Sequence, residues 1–311
     1  MNQYSEMINR LFKYYSTYLH GKEKAINLTV ISFLSKGHVL VEDNPGLGKT
    51  TLALAIARSM GLSFGRIQCT NDLLPTDVTG LNIFNKEKNE FEFVKGPIFN
   101  NIVLVDEINR ATPKTQSALL EAMGEKQVTV EGATYKLPQP FFIIATQNPS
   151  ESFGTFPLPE SQLDRFLMKI SIGYPNREDE LSILRGGSSR KGINESQPVL
   201  KAEEVLSIMT EIKDRVTVSE RIYNFIMDIV EKTRKHERIQ IGLSTRAALS
   251  IVNVAKTSAF LDGRDYVIPE DILNYSQYTM VHRIVFRDRI GNEEKMSILK
   301  SLIKEIKLPY D

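Results

Sequence analysis

Residues 41–50 read Val-Glu-Asp-Asn-Pro-Gly-Leu-Gly-Lys-Thr, and this stretch decides the fold. Val39–Val41 predicts a short strand, and Thr50–Met60 predicts a helix with Leu52, Ile56 and Met60 at helical spacing. A strand, a loop and a helix in that order place backbone N–H groups and a helix N-terminus around an anion. Gly46 and Gly48 permit backbone conformations that a Cβ would penalise, and Pro45 stiffens the entry. The pattern assigns Lys49 to the β- and γ-phosphates of a nucleoside triphosphate and Thr50 to its Mg²⁺ ion. Asn44, Leu47 and Thr51 complete the candidate nucleotide-binding set with Pro45, Gly46 and Gly48. The usual pattern begins with Gly six residues before the Lys, where this chain has Asp43.

A second stretch turns the loop into a constellation. Ile102-Val103-Leu104-Val105 is a continuous apolar run, as expected of a central parallel strand covered on both faces. Asp106 and Glu107 follow at its C-terminal end, where open α/β sheets place their ligands. Asp106 is expected in the Mg²⁺ shell, and Glu107 is expected to polarise the attacking water. Without a preceding phosphate loop, two such acids would read as a solvated loop start.

Composition narrows the class. A length of 311 residues predicts about two domains, and 41% hydrophobic content is ample for real cores. The net charge of +1 and the lack of a long basic run argue against a nucleic-acid partner. The one cysteine, Cys69, cannot form an internal disulfide and reads as a small core residue. No run approaches the roughly 18 apolar residues of a membrane span, and Met1–Arg10 lacks a secretory layout. Cytoplasmic is therefore the expected location. His20, His38, His236 and His282 are scattered without metal-ligand spacing.

Apolar runs at Val39–Val41, Gly65–Cys69, Ile102–Val105, Phe141–Thr146 and Lys169–Ile172 alternate with helical stretches, which predicts a parallel α/β sheet. We read 1–185 as an α/β nucleotide-binding domain and 186–197, with Gly-Gly-Ser-Ser and no periodicity, as a connector. Residues 198–311 read as a helical domain, with helices over Lys201–Arg215, Ser219–Lys235, Ser244–Leu261 and Pro269–Val281. The tail Glu293–Ile306 is amphipathic, with Leu299, Leu302, Ile303 and Ile306 on one face. Two hairpins interrupt the first domain within about 74–97 and 126–137. Leu81–Phe84 and Phe91–Val94 form one, and Gln127–Val130 with Thr134–Leu137 the other.

The motif order resembles an AAA+ ATPase, and the wording resembles the MoxR branch. Glu42–Thr50, Leu74–Gly80, Lys95–Phe99 and Asp106–Ala111 carry the likeness, followed by Gln116–Glu121, Glu125–Gly132 and Ala145–Pro149. Leu158–Phe166, Gly242–Arg246 and His282-Arg283 complete it, so that it spans about residues 15–290. The resemblance implies a P-loop AAA+ domain with a parallel sheet, followed by a smaller all-helical lid. It also implies ATP hydrolysis with Mg²⁺.

Several residues take roles from that resemblance. Asn148 resembles sensor 1, whose amide holds the attacking water. Arg165 resembles the arginine finger that reaches the γ-phosphate of a neighbouring subunit, and such fingers add on the order of 10³–10⁵ in rate. Arg246 resembles sensor 2, in its own subunit or across the interface. Gly21, with Ala25 and Ile26, is expected to border adenine, although His20 stands where the family has a hydrophobic residue. His282 is expected to close the last lid helix.

The family further implies a homo-oligomeric ring, usually of six, with the two hairpins lining its pore. It implies remodelling or activation of a client protein, often beside a partner with a von Willebrand factor A domain and sometimes for metal insertion. Three other readings stay open. A metal-chelatase motor subunit shares the architecture. A DNA-translocating motor shares the hairpins, although only Tyr135 and Lys136 hint at nucleic acid. A non-hydrolysing nucleotide switch is disfavoured because both acids and Asn148 are present. A sigma-54-type activator lacks support because no Gly-Ala-Phe-Thr-Gly-Ala loop occurs.

Overall fold

The apolar runs become the strands of one parallel sheet. The computed structural model describes residues 2–149, 154–187 and 189–309. The chain begins with α1 (Asn2–Tyr18), α2 (Glu23–Leu34), β1 (Val39–Glu42), α3 (Lys49–Ser59) and β2 (Phe64–Gln68). Next come α4 (Pro75–Thr79), the hairpin β3 (Gly80–Asn85) and β4 (Glu90–Lys95), β5 (Ile102–Asp106) and α5 (Pro113–Glu125). The hairpin β6 (Gln127–Val130) and β7 (Ala133–Lys136), then β8 (Phe142–Gln147), α6 (Glu160–Leu163) and β9 (Met168–Ile170) finish the sheet region. Beyond it lie α7 (Arg177–Gly186), α8 (Arg190–Glu195), α9 (Ala202–Arg215), α10 (Glu220–Lys235), β10 (Ile239–Ile241) and α11 (Thr245–Leu261). The helices α12 (Glu270–Leu273) and α13 (Ser276–Thr279), the short β11 (Val285–Phe286) and α14 (Asn292–Lys304) end the fold.

The sheet order is β2-β5-β8-β1-β9, with every pairing parallel. Val39 and Val41 enter one core and Leu40 the other, because successive side chains leave opposite faces. Both faces are covered, which is why these strands read as unbroken apolar runs. The first core continues from Ile102, Phe142 and Ile170 into the helical part through Ile208, Phe225, Val254 and Leu299. Leu299, Leu302, Ile303 and Ile306 of the amphipathic tail are buried there. Lys232 on α10 pairs with Glu305 at 2.7 Å.

Helix α1 was not legible as an element, and it fastens the two parts together. Its Tyr15 hydroxyl shares a hydrogen bond with Ser59 on α3 at 3.0 Å. On the other side, Tyr14 meets Ser196 at 2.8 Å, and Arg10 donates to the Val199 carbonyl at 3.0 Å.

Two expectations need correction. Residues 186–197 are more than an aperiodic connector, for they hold α8, whose Ile193 is fully buried in the first core. A helix of six residues is too short to display a period. Ser188 of that segment lies outside the described residues. The helix expected over Pro269–Val281 is broken into α12, α13 and a 3₁₀ turn at Val281–Arg283. At the break the Tyr275 N–H bonds back three residues, to the Ile272 carbonyl. Ser276 and Thr279 turn their hydroxyls onto nearby carbonyls, an alternative to helix bonding that these residue types favour.

The two hairpins stand where the sequence places them, and they touch. Phe93 of β4 stacks on Tyr135 of β7 with ring centres 4.0 Å apart. Asn82 of β3 donates to the Glu131 carboxylate at 2.7 Å. At the root of the first hairpin, Gly96 lies so close to Gly80 that a Cβ would sit 2.6 Å from the Gly80 nitrogen.

Candidate functional site

The loop between β1 and α3 has the conformation its glycines predict. Gly46 and Gly48 have φ of +86° and +85°, values that side-chain-bearing residues rarely adopt. Gly48 is the N-cap of α3, so the free N–H groups of the first turn face the loop. A Cβ on Gly48 would collide with the Lys22 ammonium, which donates to the Leu47 carbonyl. Lys49 donates to the Asp43 carbonyl. Burial lowers the pKa of both lysines, opposed in each by the negative charge of Asp43.

Asp43, the departure from the usual glycine, has a defined structural task. Its carboxylate accepts from the N–H groups of Ile172 and Gly173 at 2.7 and 2.8 Å and from the Ser171 hydroxyl at 3.0 Å. The phosphate loop is thereby pinned to the chain leaving β9, a link that a glycine cannot make.

At the end of β5, Asp106 accepts from Arg66 Nε at 2.8 Å and from the Thr146 hydroxyl at 3.3 Å. Glu107 has φ of +57°, a left-handed conformation costly for a residue with a Cβ. Its N–H donates to Thr146 Oγ1 at 2.9 Å. Its carboxylate receives Arg110 at 3.3 Å and Gln68 at 3.4 Å. These contacts hold the carboxylate beside Gln68 of β2 and Arg110.

One cleft of about 520 Å³ gathers Pro45, Gly46, Gly48, Lys49, Thr50 and Thr51 with Asp106, Glu107 and Asn148. Asn148, just past β8, is buried with 7% of its surface exposed. Tyr18, Leu19, His20 and Ile183 also line the cleft. Thr50 and Asp106 offer hydroxyl and carboxylate oxygens in the same cleft, the donor chemistry that suits Mg²⁺.

Other predicted residues lie elsewhere. Asn44 and Leu47 support the loop but do not line the cleft. Gly21 stands behind it at φ +67°, packed so closely on Asp179 that a Cβ would collide with that carboxylate. Ala25 and Ile26 are buried in α2. Arg165 turns away and donates to the Leu120 carbonyl of α5. Arg246 pairs with Asp164 at 3.6 Å.

A family model described as "ATPase family associated with various cellular activities (AAA)" matches residues 38–168, and an "AAA lid domain" model matches 231–302. Chaperone MoxR1 of Mycobacterium tuberculosis is 38% identical over 93% of this chain and 79% of its own length. The chain belongs to the MoxR family of AAA+ ATPases. A Bacillus subtilis protein, YeaC, is 43% identical over 97% of the chain and 95% of its own length. The crystal structure of a candidate ATPase from Cytophaga hutchinsonii superposes with a TM-score of 0.89. It is 39% identical and covers 98% of this chain and 96% of that one.

This MoxR-family ATPase also carries cleft residues that sequence reasoning missed. Arg66, Gln68, Thr146, Lys22 and Arg190 all line it. Arg66 and Gln68 alternate along β2, so they share a face, and strand order sets that face beside Asp106 and Glu107. Their period-2 spacing was legible; the neighbour was not. Arg190, on the unforeseen α8, reaches Thr51 Oγ1 at 3.3 Å. Among the described residues no helix is long and apolar enough to cross a membrane.

Proposed function

We propose that this MoxR-type ATPase uses ATP and Mg²⁺ in a homo-oligomeric ring, six subunits by family habit, to remodel or activate a client protein in the cytoplasm. The observation that carries this reading is the separation of Arg165 from its own cleft, while the phosphate loop, Asp106, Glu107 and Asn148 share one. Phosphoryl transfer needs charge stabilisation at the γ-phosphate, and an arginine from the next subunit supplies it. In this reading Lys49 and the loop N–H groups hold the phosphates, and Thr50 and Asp106 hold the metal. Glu107 polarises water placed with Asn148. Arg246 reports the phosphate state from the lid.

The first hairpin favours a protein client. Leu81, Ile83, Phe84, Phe91 and Val94 are all exposed there, an apolar density that marks a protein-binding surface. Residues 80–95 hold three lysines and three glutamates, a balance unsuited to a phosphate backbone. A partner with a von Willebrand factor A domain and aid to metal insertion extend the same reading from the family.

Affinity capture with the Glu107→Gln variant in ATP tests it. The expected result is a ring by sedimentation that retains a specific protein, released on ATP removal. A monomer at all nucleotide and protein concentrations, or nucleic acid as the sole retained species, would refute it.

A further inference from the structure

Three side chains of the helical part converge on one carboxylate next to Arg165. Asp164 accepts from the Ser244 hydroxyl at 3.1 Å and pairs with Arg283 at 3.4 Å and Arg246 at 3.6 Å. Two residues on, the Phe166 carbonyl accepts from Arg283 Nη2 at 2.7 Å and lies 3.0 Å from His282 Nε2. Arg283 is buried at 6% exposure, so its charge depends on these partners. Burial disfavours its charged form, and Asp164 offsets that.

The residue between these two anchors is Arg165. Its guanidinium reaches the Leu120 carbonyl and lies close to Gly124 on α5, and the chain leaves α5 through Lys126 into β6. A three-residue segment therefore joins the lid on one side to α5 and its hairpin on the other. Any shift of α11 or of the turn at 281–283 must either break these contacts or carry residues 164–166 with it.

We propose that Asp164 is a positioning residue that sets the reach of Arg165 toward the neighbouring subunit according to the lid position of its own subunit. Ser244, Arg246 and Arg283 all belong to the helical part, so they move with the lid, and Arg283 also holds the Phe166 carbonyl. Closing the lid thus changes the strain on the segment that carries the finger. Nucleotide state in one subunit is coupled to hydrolysis in the next. Arg246 is shared in this scheme, because it leaves Asp164 whenever it engages phosphate.

The inference rests on the trans finger role of Arg165 given above, and subunit mixing separates the two. Asp164→Ala should lower ATPase of the homogeneous assembly by about 5–150-fold, the usual span of a coupling free energy, with binding of a fluorescent ATP analogue no weaker, because Arg246 is released toward the phosphate. Mixed with Glu107→Gln subunits, whose fingers are intact, Asp164→Ala subunits should regain hydrolysis. Mixed with Arg165→Ala subunits, they should not. Recovery with Arg165→Ala instead, or undiminished ATPase in Asp164→Ala, overturns the proposal. Full ATPase in Arg165→Ala alone overturns the finger role beneath it. Should Asp164→Ala fail to fold, Asp164→Asn keeps the shape and the Ser244 bond and is held to the same mixing pattern.

Discussion

Arg66 Nε lies 2.8 Å from Asp106 Oδ2, so a cation from the neighbouring strand occupies the carboxylate that faces the cleft. Arg66 is half exposed and Asp106 nearly buried, which makes the pair accessible to competition from a divalent ion.

Arg66→Gln is expected to lower the Mg²⁺ concentration for half-maximal ATPase. A half-exposed pair contributes at most about 1 kcal/mol, so the shift should stay within about five-fold. A Mg²⁺ titration checks it, and a higher Mg²⁺ requirement would show that Arg66 assists the metal.

Glu107→Gln should lose about 10²–10⁴ in hydrolysis, the usual share of a positioned base, while binding ATP as before. Lys49→Ala should weaken binding itself, because the charge on the phosphates is lost. Equilibrium binding beside single-turnover rates separates the two. Equal loss of affinity in both variants would remove the distinction between their roles.

Asp43→Gly restores the common loop pattern and should nevertheless destabilise the protein. Three donors at 171–173 lose their acceptor, at a cost of about 2–4 kcal/mol. Urea unfolding measures this, and unchanged stability would mean that the loop does not depend on the link.

Stability should fall in mild acid through His38 and His282. His38 is buried and neutral: its Nδ1 accepts from Ile143 N–H at 3.0 Å and its Nε2 faces the Met123 carbonyl at 3.2 Å. Burial pulls its pKa from 6.5 down to about 4. Burial and then the Arg283 charge pull that of His282 down to about 3. The unfolded chain binds these protons first, so their contribution is complete above about pH 6.5 and is lost as pH falls toward 4 and 3. Each contributes at most about 1.4 kcal/mol per pH unit in that window. Urea midpoints between pH 7.5 and 5 test it, and a flat profile would contradict the neutral assignment.

How far the sequence could be read follows from how local each feature is. The strands were legible because successive sheet residues such as Val103 and Leu104 are buried on opposite faces, leaving continuous apolar runs. The phosphate loop was legible because its contacts are made by neighbours in sequence. Asp43 was opaque because its partners, Ile172 and Gly173, follow a different strand. Arg66 needed the strand order, and Arg190 needed a helix of one and a half turns. The break at Tyr275 is set by side-chain bonds that periodicity does not register.

The contact between the hairpins has a mechanical consequence. Phe93 on Tyr135 and Asn82 on Glu131 weld segments that are distant in sequence, and the Gly80–Gly96 pinch leaves the first hairpin a narrow stem. The two hairpins are then one joined projection, not two independent fingers. A load placed on the first hairpin is shared with the second through Phe93 and Tyr135, and the second follows α5 directly through Lys126, so a substitution in either hairpin should disturb the other.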